Sequence, residues 1–398
     1  MENPGGAFLD PTPDEEMQRR WDAVRAMMRE KKIDYLVMQN QEEFMGGTLR
    51  WFTDWTARHQ FPMSVIFAVD EDMTVINCGN EVPLPQAFPP KWGARGIKNN
   101  WGDVYFVTHS FTKYYDAKLA CDAMKDKPKA TIGWVEPTTI PMTFAGYLQE
   151  NLPEATFIDA TEYIDILKAV KSPYEIEIAK KTAKIQDDSF DYIKGLMKPG
   201  IRDVDMYAAT NWYMATHGSG RGLVLVKSGA MGTFAPFEPY HLQGKVVEKG
   251  DQLTVLNETN GPGGMYTELC RSFCVGCEPD KELADAWKYA VECQHLMAER
   301  MVPGAKCADL YTFARTFMVD HGYASPSRSF AHGQGYSLVE RPSIRPDDPW
   351  EIVEGMNIAV HPVFVKPGRV WCIACDNYIV GPKGSYKIHN YPQDLVVV

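Results

Sequence analysis

Two stretches of this chain repeat one another. Met197-Lys198-Pro199-Gly200 through His217-Gly218 matches Met301-Val302-Pro303-Gly304 through His321-Gly322 at an offset of 301 − 197 = 104 residues. Met197, Pro199, Gly200, Asp205, Tyr207, Met214, His217 and Gly218 recur identically. Self-similarity at a fixed spacing marks a duplicated supersecondary unit that buries its apolar face against its copy. Each copy reads as helix, Pro-Gly turn, helix and then a loop into strands, so this part of the chain is expected to form an α+β domain with an internal pseudo-twofold repeat. His217 and His321 close helices just before glycines, a common helix end, and are read as structural.

Upstream the pattern differs. Glu15 to Lys32 carries Met17, Trp21, Val24, Met27 and Met28 at helical spacing. Short β-rich runs follow at 35–38, 64–69, 73–78, 104–107 and 131–135, with helical patterns at 117–124 and 141–152. Strands alternating with helices predict an α/β domain with a mixed sheet. Lys171-Ser172-Pro173-Tyr174-Glu175 then opens a helix, with Ser172 as cap, Pro173 at the first position and Glu175 closing a capping box. The expected division is residues 1–165 and 166–398.

A chain of 398 residues suits two domains of this size. Its net charge of −11 repels phosphate backbones and argues against nucleic acid as a partner. No run of about 18 apolar residues is present to span a membrane. Met1-Glu2-Asn3-Pro4 lacks the basic start and apolar stretch of a signal peptide. Nine cysteines in a chain this long form no dense disulfide framework, and a reduced, cytoplasmic protein is expected. Cys274/Cys277 and Cys372/Cys375 have paired spacing, but 372 − 277 = 95 residues separate the pairs, and residues three apart on a strand point to opposite faces. A zinc ribbon is not expected.

Polar residues interrupt apolar runs after each repeat. Asn257 stands at a strand end after Leu253-Thr254-Val255-Leu256. Glu268 lies in a second strand, beyond the turn Gly261-Pro262-Gly263-Gly264. His332 sits among small residues in Phe330-Ala331-His332-Gly333-Gln334-Gly335. His361 ends an apolar strand, and Cys375-Asp376 follow in the last hairpin. Five interruptions in order across a symmetric domain point to a site.

Lys249-Gly250-Asp251, Glu268 to Phe273, His332 to Gly335, Glu354-Gly355-Met356 and Asp376 to Gly384 resemble the sequential signature of the pita-bread family, which holds methionine aminopeptidase, aminopeptidase P, prolidase and creatinase. The resemblance implies a creatinase-like N-terminal α/β domain and a pita-bread C-terminal catalytic domain. It also implies a homodimer in which the N-terminal domain of one subunit completes the active site of the other. The metal-dependent members bind two ions with Asp, Asp, His, Glu and Glu. At the matching positions this chain offers Asn257, Glu268, His332, His361 and Cys375, so four carboxylates become one. Paired dications need bridging carboxylates to offset their repulsion, and no metal or other cofactor is expected. One Zn²⁺ on Glu268, His332, His361 and Cys375 stays open as an alternative. Creatinase, a metal-free relative, shares the Asn and Glu of the first two positions. Its catalytic histidine falls here on Phe237 or, with a shifted gap, His241. Trp51-Phe52-Thr53-Asp54 matches the run before its substrate arginine, but Arg58-His59-Gln60-Phe61 follows with the arginine displaced, so creatine is not the expected substrate.

The expected chemistry is acid/base catalysis by His332 and His361, whose ordinary pKa lies near neutrality, with Glu268 sharing a proton and Asp376 holding a ring N–H. The cleft is expected to be aromatic, from Trp51, Trp55, Phe237, Tyr240 and Tyr336, with Arg271, Arg341 and Arg345, and Arg58 and His59 from the N-terminal domain, as further candidates for a small, aromatic substrate. Without metal to generate hydroxide, the first expectation is a lyase that breaks a C–C bond by retro-aldol loss of a formaldehyde-type fragment, or a C–S bond. A metal-free C–N hydrolase of the creatinase or ectoine hydrolase type is the alternative, and a non-catalytic binding protein is the third.

Overall fold

The computed structural model describes residues 10–56, 61–79 and 95–398. The chain divides into two compact units, residues 11–168 and residues 169–398 with Asp10. The break falls within the helix Thr161–Ala169.

The first unit is built on a six-stranded mixed sheet. Its order is Ile97–Asp103, Met73–Cys78, Met63–Ala68, Tyr35–Asn40, Thr131–Trp134 and Thr156–Asp159. The helices Tyr115–Met124 and Met142–Asn151 bury Ala117, Ala120, Met124, Phe144 and Leu148 against Val37, Ile66, Ile76 and Ile132 of the sheet. The expected strand at 104–107 is not formed. The strand lies just before it, Ile97–Asp103, pairing in parallel with Met73–Cys78. Lys98, Asn99 and Asn100 make that strand polar, as suits a sheet edge, while Val104, Phe106 and Val107 are exposed beyond it.

The second unit carries the repeat into three dimensions. Helices Pro173–Lys194 and Asp203–Thr216 form one half, and helices Lys281–Arg300 and Cys307–Asp320 the other. The turn between each pair places a glycine at positive φ, Gly200 at 98° and Gly304 at 88°, a conformation that favours glycine over any L side chain. Each second helix ends the same way. His217 Nδ1 binds the Tyr213 carbonyl at 2.7 Å, and His321 Nδ1 binds that of Phe317 at 2.7 Å. The buried positions correspond at the same offset. Ile193, Met197 and Met206 lie in the core of the first half, and Met297, Met301 and Leu310 in that of the second.

Against these helices stand two sheets. One has the order Val396–Val397, Tyr266–Cys274, Asp251–Asn260, Gly222–Ala230. The other has the order Glu340–Ser343, Ala331–Gly333, Asn357–Val360, Asp376–Gly381, Gly384–Lys387. They meet at a bridge between Cys270 and Cys375. Leu256, Cys270, Ala359, Val363, Ile373 and Cys375 form a small apolar cluster at this seam. The cysteines of the last hairpin separate as strand geometry requires, Cys372 into the large core and Cys375 into the seam. Among the described residues no helix is long and apolar enough to cross a membrane.

The capping box is present in full. Ser172 Oγ accepts from the Glu175 N–H at 3.1 Å, and Glu175 Oε2 accepts from the Ser172 N–H at 2.9 Å. Ser172→Ala is expected to lower stability by about 1 kcal/mol, read as an earlier midpoint in urea unfolding with an unchanged slope.

Candidate active site

The hairpin Asp251–Asn260/Tyr266–Cys274 sets the site. Its turn closes through the Gly264 N–H donating to the Gly261 carbonyl at 2.8 Å, and its register pairs Glu258 with Glu268, and Asn257 with Leu269. Side chains alternate faces along a strand. Leu253, Val255, Leu269 and Phe273 therefore face the helices of the first half, in the core with Phe190 and Ile193. Leu256, Glu258, Glu268 and Cys270 face the seam. Helix Pro173–Lys194 presses on the turn. A Cβ at Gly263 would stand 2.3 Å from Ile178 Cγ2, and one at Gly261 2.4 Å from Thr182 Oγ1.

The second sheet supplies the histidines. His332 lies in Ala331–Gly333, opposite Ala359, and His361 follows directly on Asn357–Val360 with its N–H held by the Phe330 carbonyl at 2.9 Å. Their ring centroids are 5.0 Å apart. His332 Nδ1 donates to the Gly333 carbonyl at 3.0 Å, which in the neutral ring leaves the lone pair on Nε2. That Nε2 lies 3.8 Å from Glu258 Oε1 and 3.7 Å from Glu268 Oε2. Gln334 Nε2 donates to Glu258 Oε1 at 2.7 Å, and Asn377 Nδ2 donates to Gln334 Oε1 at 2.8 Å. Asn377 Oδ1 accepts from the Glu268 N–H at 2.6 Å. Two amides, Gln334 and Asn377, thus link the Glu258 side chain to the Glu268 backbone.

Burial pushes Glu258 well above the usual carboxylate range, and the neighbouring Glu268 charge adds to the rise. Burial also raises Glu268, to about 7, against the pull of the Arg328 guanidinium and of hydrogen bonds from Cys375 and Glu258. Glu258 is therefore the member of the pair that holds a proton near neutrality. Burial lowers both imidazoles, His332 to about 4 and His361 well below its ordinary value, with Arg328 contributing to each. Burial and the nearby carboxylates hold the Cys375 thiol well above the normal thiol range, so it stays protonated and donates to Glu268.

The donor set suits one metal ion and not two. Glu268, His332 and His361 are buried, and each offers one ligand atom within 4.8 Å of the others. Glu268 Oε2 is buried with no hydrogen-bond partner, an orphan that a cation would satisfy. One carboxylate with two imidazoles is a common set for a single divalent ion. A pair of ions lacks its bridging ligands. Asn257 faces the helices, bonded to Ser189 Oγ at 3.1 Å and to Thr259 Oγ1 at 2.9 Å, Cys375 is a neutral thiol, and Arg328 adds a positive charge.

Several expectations are corrected here. Asn257 lies inside its strand rather than at the end, and Glu258, not Asn257, faces the site. The site thus keeps two carboxylates where the sequence reading left one. The hairpin itself held the signal, because a turn centred on Gly263 pairs 258 with 268. Arg328, on the segment before Ala331–Gly333, was also missed; nothing in its local pattern distinguishes it from a loop arginine. Arg271 is not free to bind substrate. Its five N–H groups go to the carbonyls of Pro392, Cys270, Cys375 and Tyr391 and to Asp376 Oδ1, at 2.7–3.2 Å. Asp376 holds no catalytic ring; its oxygens accept from Arg271 and Gln393. Arg341 pairs with Asp348 at 2.8 Å and lies over Trp350, and Arg345 pairs with Asp347 at the surface.

The aromatic residues expected to line a cleft have different surroundings within their own units. Trp51 is buried in the first unit against Phe52 and Arg20, and Trp55 is half-buried in the same unit. Phe237 packs on Trp371 at the seam cluster. Tyr240 is exposed and stacked on Tyr207, with exposed His241 edge-on to it. Tyr336 is buried beside the His332 strand. Arg58 and His59 lie outside the described residues.

The sequence model of metallopeptidase family M24 matches residues 177–390, more than half of the chain. The chain belongs to this family, and its fold is the creatinase-like α/β domain joined to a pita-bread domain. The uncharacterized peptidase YqhT of Bacillus subtilis is 25% identical over 263 residues, 65% of this chain and 73% of that protein. The probable dipeptidase PepE of Mycobacterium tuberculosis is 26% identical over 243 residues, 60% of this chain and 63% of that protein. The Xaa-Pro dipeptidase structure from Bacillus anthracis superposes with a TM-score of 0.77 at 19% identity, covering 96% of this chain and 100% of that one. These relatives overturn the expectation of a metal-independent lyase, because those that carry an activity in their names are peptidases.

Two outcomes follow from the electrostatics. A carboxyl whose pKa is raised on folding weakens the native state as pH climbs from its unfolded value toward its folded one. Glu258→Gln is therefore expected to raise thermal stability above pH 7, with the gain shrinking toward pH 4. Arg271→Met leaves Asp376 buried without its partner and is expected to cost about 3–5 kcal/mol, read by chemical denaturation.

Proposed function

We propose that this chain hydrolyses a C–N bond in a small peptide or other amide. The observation that carries the reading is the convergence of two buried glutamates of unequal proton affinity on the free Nε2 of His332. Hydrolysis of an amide needs a base to take a proton from water and an acid to protonate the departing nitrogen. Glu268, with its Oε2 uncommitted, is the base. Glu258, the protonated member, is the acid, held in place by Gln334. His332 Nε2 accepts a hydrogen bond from the water and orients it. Water adds to the carbonyl carbon, the C–N bond breaks, and the water's oxygen ends in the new carboxylate. A divalent ion held by Glu268, His332 and His361 would occupy Glu268 Oε2 and His332 Nε2 and would supply Lewis acidity and a lowered pKa of water in place of those two roles.

The peptidase names of the relatives support peptides as the substrate class. The nine cysteines, all unpaired, support a reducing, cytoplasmic setting. A homodimer completes the reading and is tested by sedimentation.

The test is a panel of dipeptides and N-acyl amino acids turned over in ¹⁸O-labelled water. Hydrolysis places one labelled oxygen in the product carboxylate. Glu268→Gln is expected to lower kcat by roughly 10²–10⁴ with little change in KM. Cleavage without label, or full turnover by the Glu268→Gln variant, would refute the reading.

A further inference from the structure

Arg328 lies against a group that a metal ion would need. Its Nη2 stands 3.2 Å from His361 Nδ1. A guanidinium has donors only, so His361 accepts at Nδ1, and its neutral ring keeps the proton on Nε2. In that state neither ring nitrogen has a lone pair to give. The other two members of the set are ready, Glu268 Oε2 without a partner and His332 Nε2 with a free lone pair. The set is therefore complete only when Arg328 leaves His361.

The arginine is built to leave. Its remaining hydrogen bond is Nε to the Ser329 carbonyl at 3.1 Å, within its own segment, and among the described residues Glu258 and Glu268 attract it without an ion pair to either. It is half-buried and lies outside helix and strand, between Cys307–Asp320 and Ala331–Gly333. Its charge also opposes a dication at the same place.

We propose that Arg328 and a divalent ion compete for His361, so that this arginine sets the affinity of a one-ion site made by Glu268, His332 and His361. Arg328 is a positioning residue in this scheme. With the guanidinium on Nδ1 the ring is committed. With the guanidinium withdrawn, the Nδ1 lone pair is released, and whichever ring nitrogen does not carry the single imidazole proton becomes a ligand. Because the effect is on ion binding, its failure leaves the hydrolytic reading standing, and failure of that reading leaves this one intact.

The experiment uses the full chain, stripped with chelator and titrated calorimetrically with Zn²⁺ and separately with Mn²⁺, with metal per chain measured by elemental analysis. Arg328→Met is expected to bind one ion per chain roughly ten- to a hundredfold more tightly than the wild type. Arg328→Gln, which loses the charge but can still donate to Nδ1, is expected to gain less. Adding His361→Ala to Arg328→Met is expected to erase the gain. Near-UV circular dichroism checks that each variant is folded, and Arg328→Gln serves if the methionine variant is not. An unchanged affinity in both Arg328 variants, a gain that survives loss of His361, or two ions per wild-type chain would overturn the proposal.

Discussion

Because successive side chains of a strand alternate between faces, the pairing of Glu258 with Glu268 fixes which groups meet the two histidines. Every feature of the site follows from this register. It turns Asn257 toward Ser189 and the helices, brings two carboxylates together in a buried place, and aims both at His332 Nε2. The second sheet only has to approach the seam at Cys270 and Cys375 for the histidines to arrive opposite them.

The same hairpin separates scaffold from chemistry. On the helix side, Arg271 joins five acceptors from three stretches of chain, and Asp376 balances its charge. On the seam side, the polar atoms are incompletely satisfied, and Glu268 Oε2 is left without a partner. A buried polar group that is fully bonded holds a structure together, while one left open is available to a ligand or a reaction. Arg271 and Glu268 are near neighbours in sequence and opposite in this respect.

Much of the fold was legible in the chain. The repeat, the capping box, the mixed sheet of the first unit and the separation of Cys372 from Cys375 all rest on local pattern or periodicity, and the structure contains them. The strand at 97–103 was missed because its residues are polar, while the apolar run that follows it is exposed. The site was legible in part. Glu268, His332 and His361 interrupt apolar strands and do come together. Glu258 was hidden because the family resemblance falls on its neighbour Asn257, and only the pairing of the strands decides which of the two faces the site. Arg271, Asp376, Arg341 and Arg345 carry charges that suggest function, but only the three-dimensional partners show that those charges are already spoken for. Which arginine lies against a histidine is a tertiary fact, and residue spacing holds no trace of it.

Glycine turns at hairpin tips are ordinarily where a chain accepts extra or missing residues. Here the tip is clamped, with Gly261 and Gly263 lying so close to Thr182 and Ile178 that neither has room for a methyl group. Were one residue gained or lost in this turn, the returning strand would slide by one place, and Glu268 would leave the seam for the helix face, opposite Asn257 or Thr259. An indel at this tip would thus take a carboxylate out of the site and bring Thr267 or Leu269 opposite Glu258 without altering a single site residue, so length variation at 261–264 is a change of chemistry and not of loop.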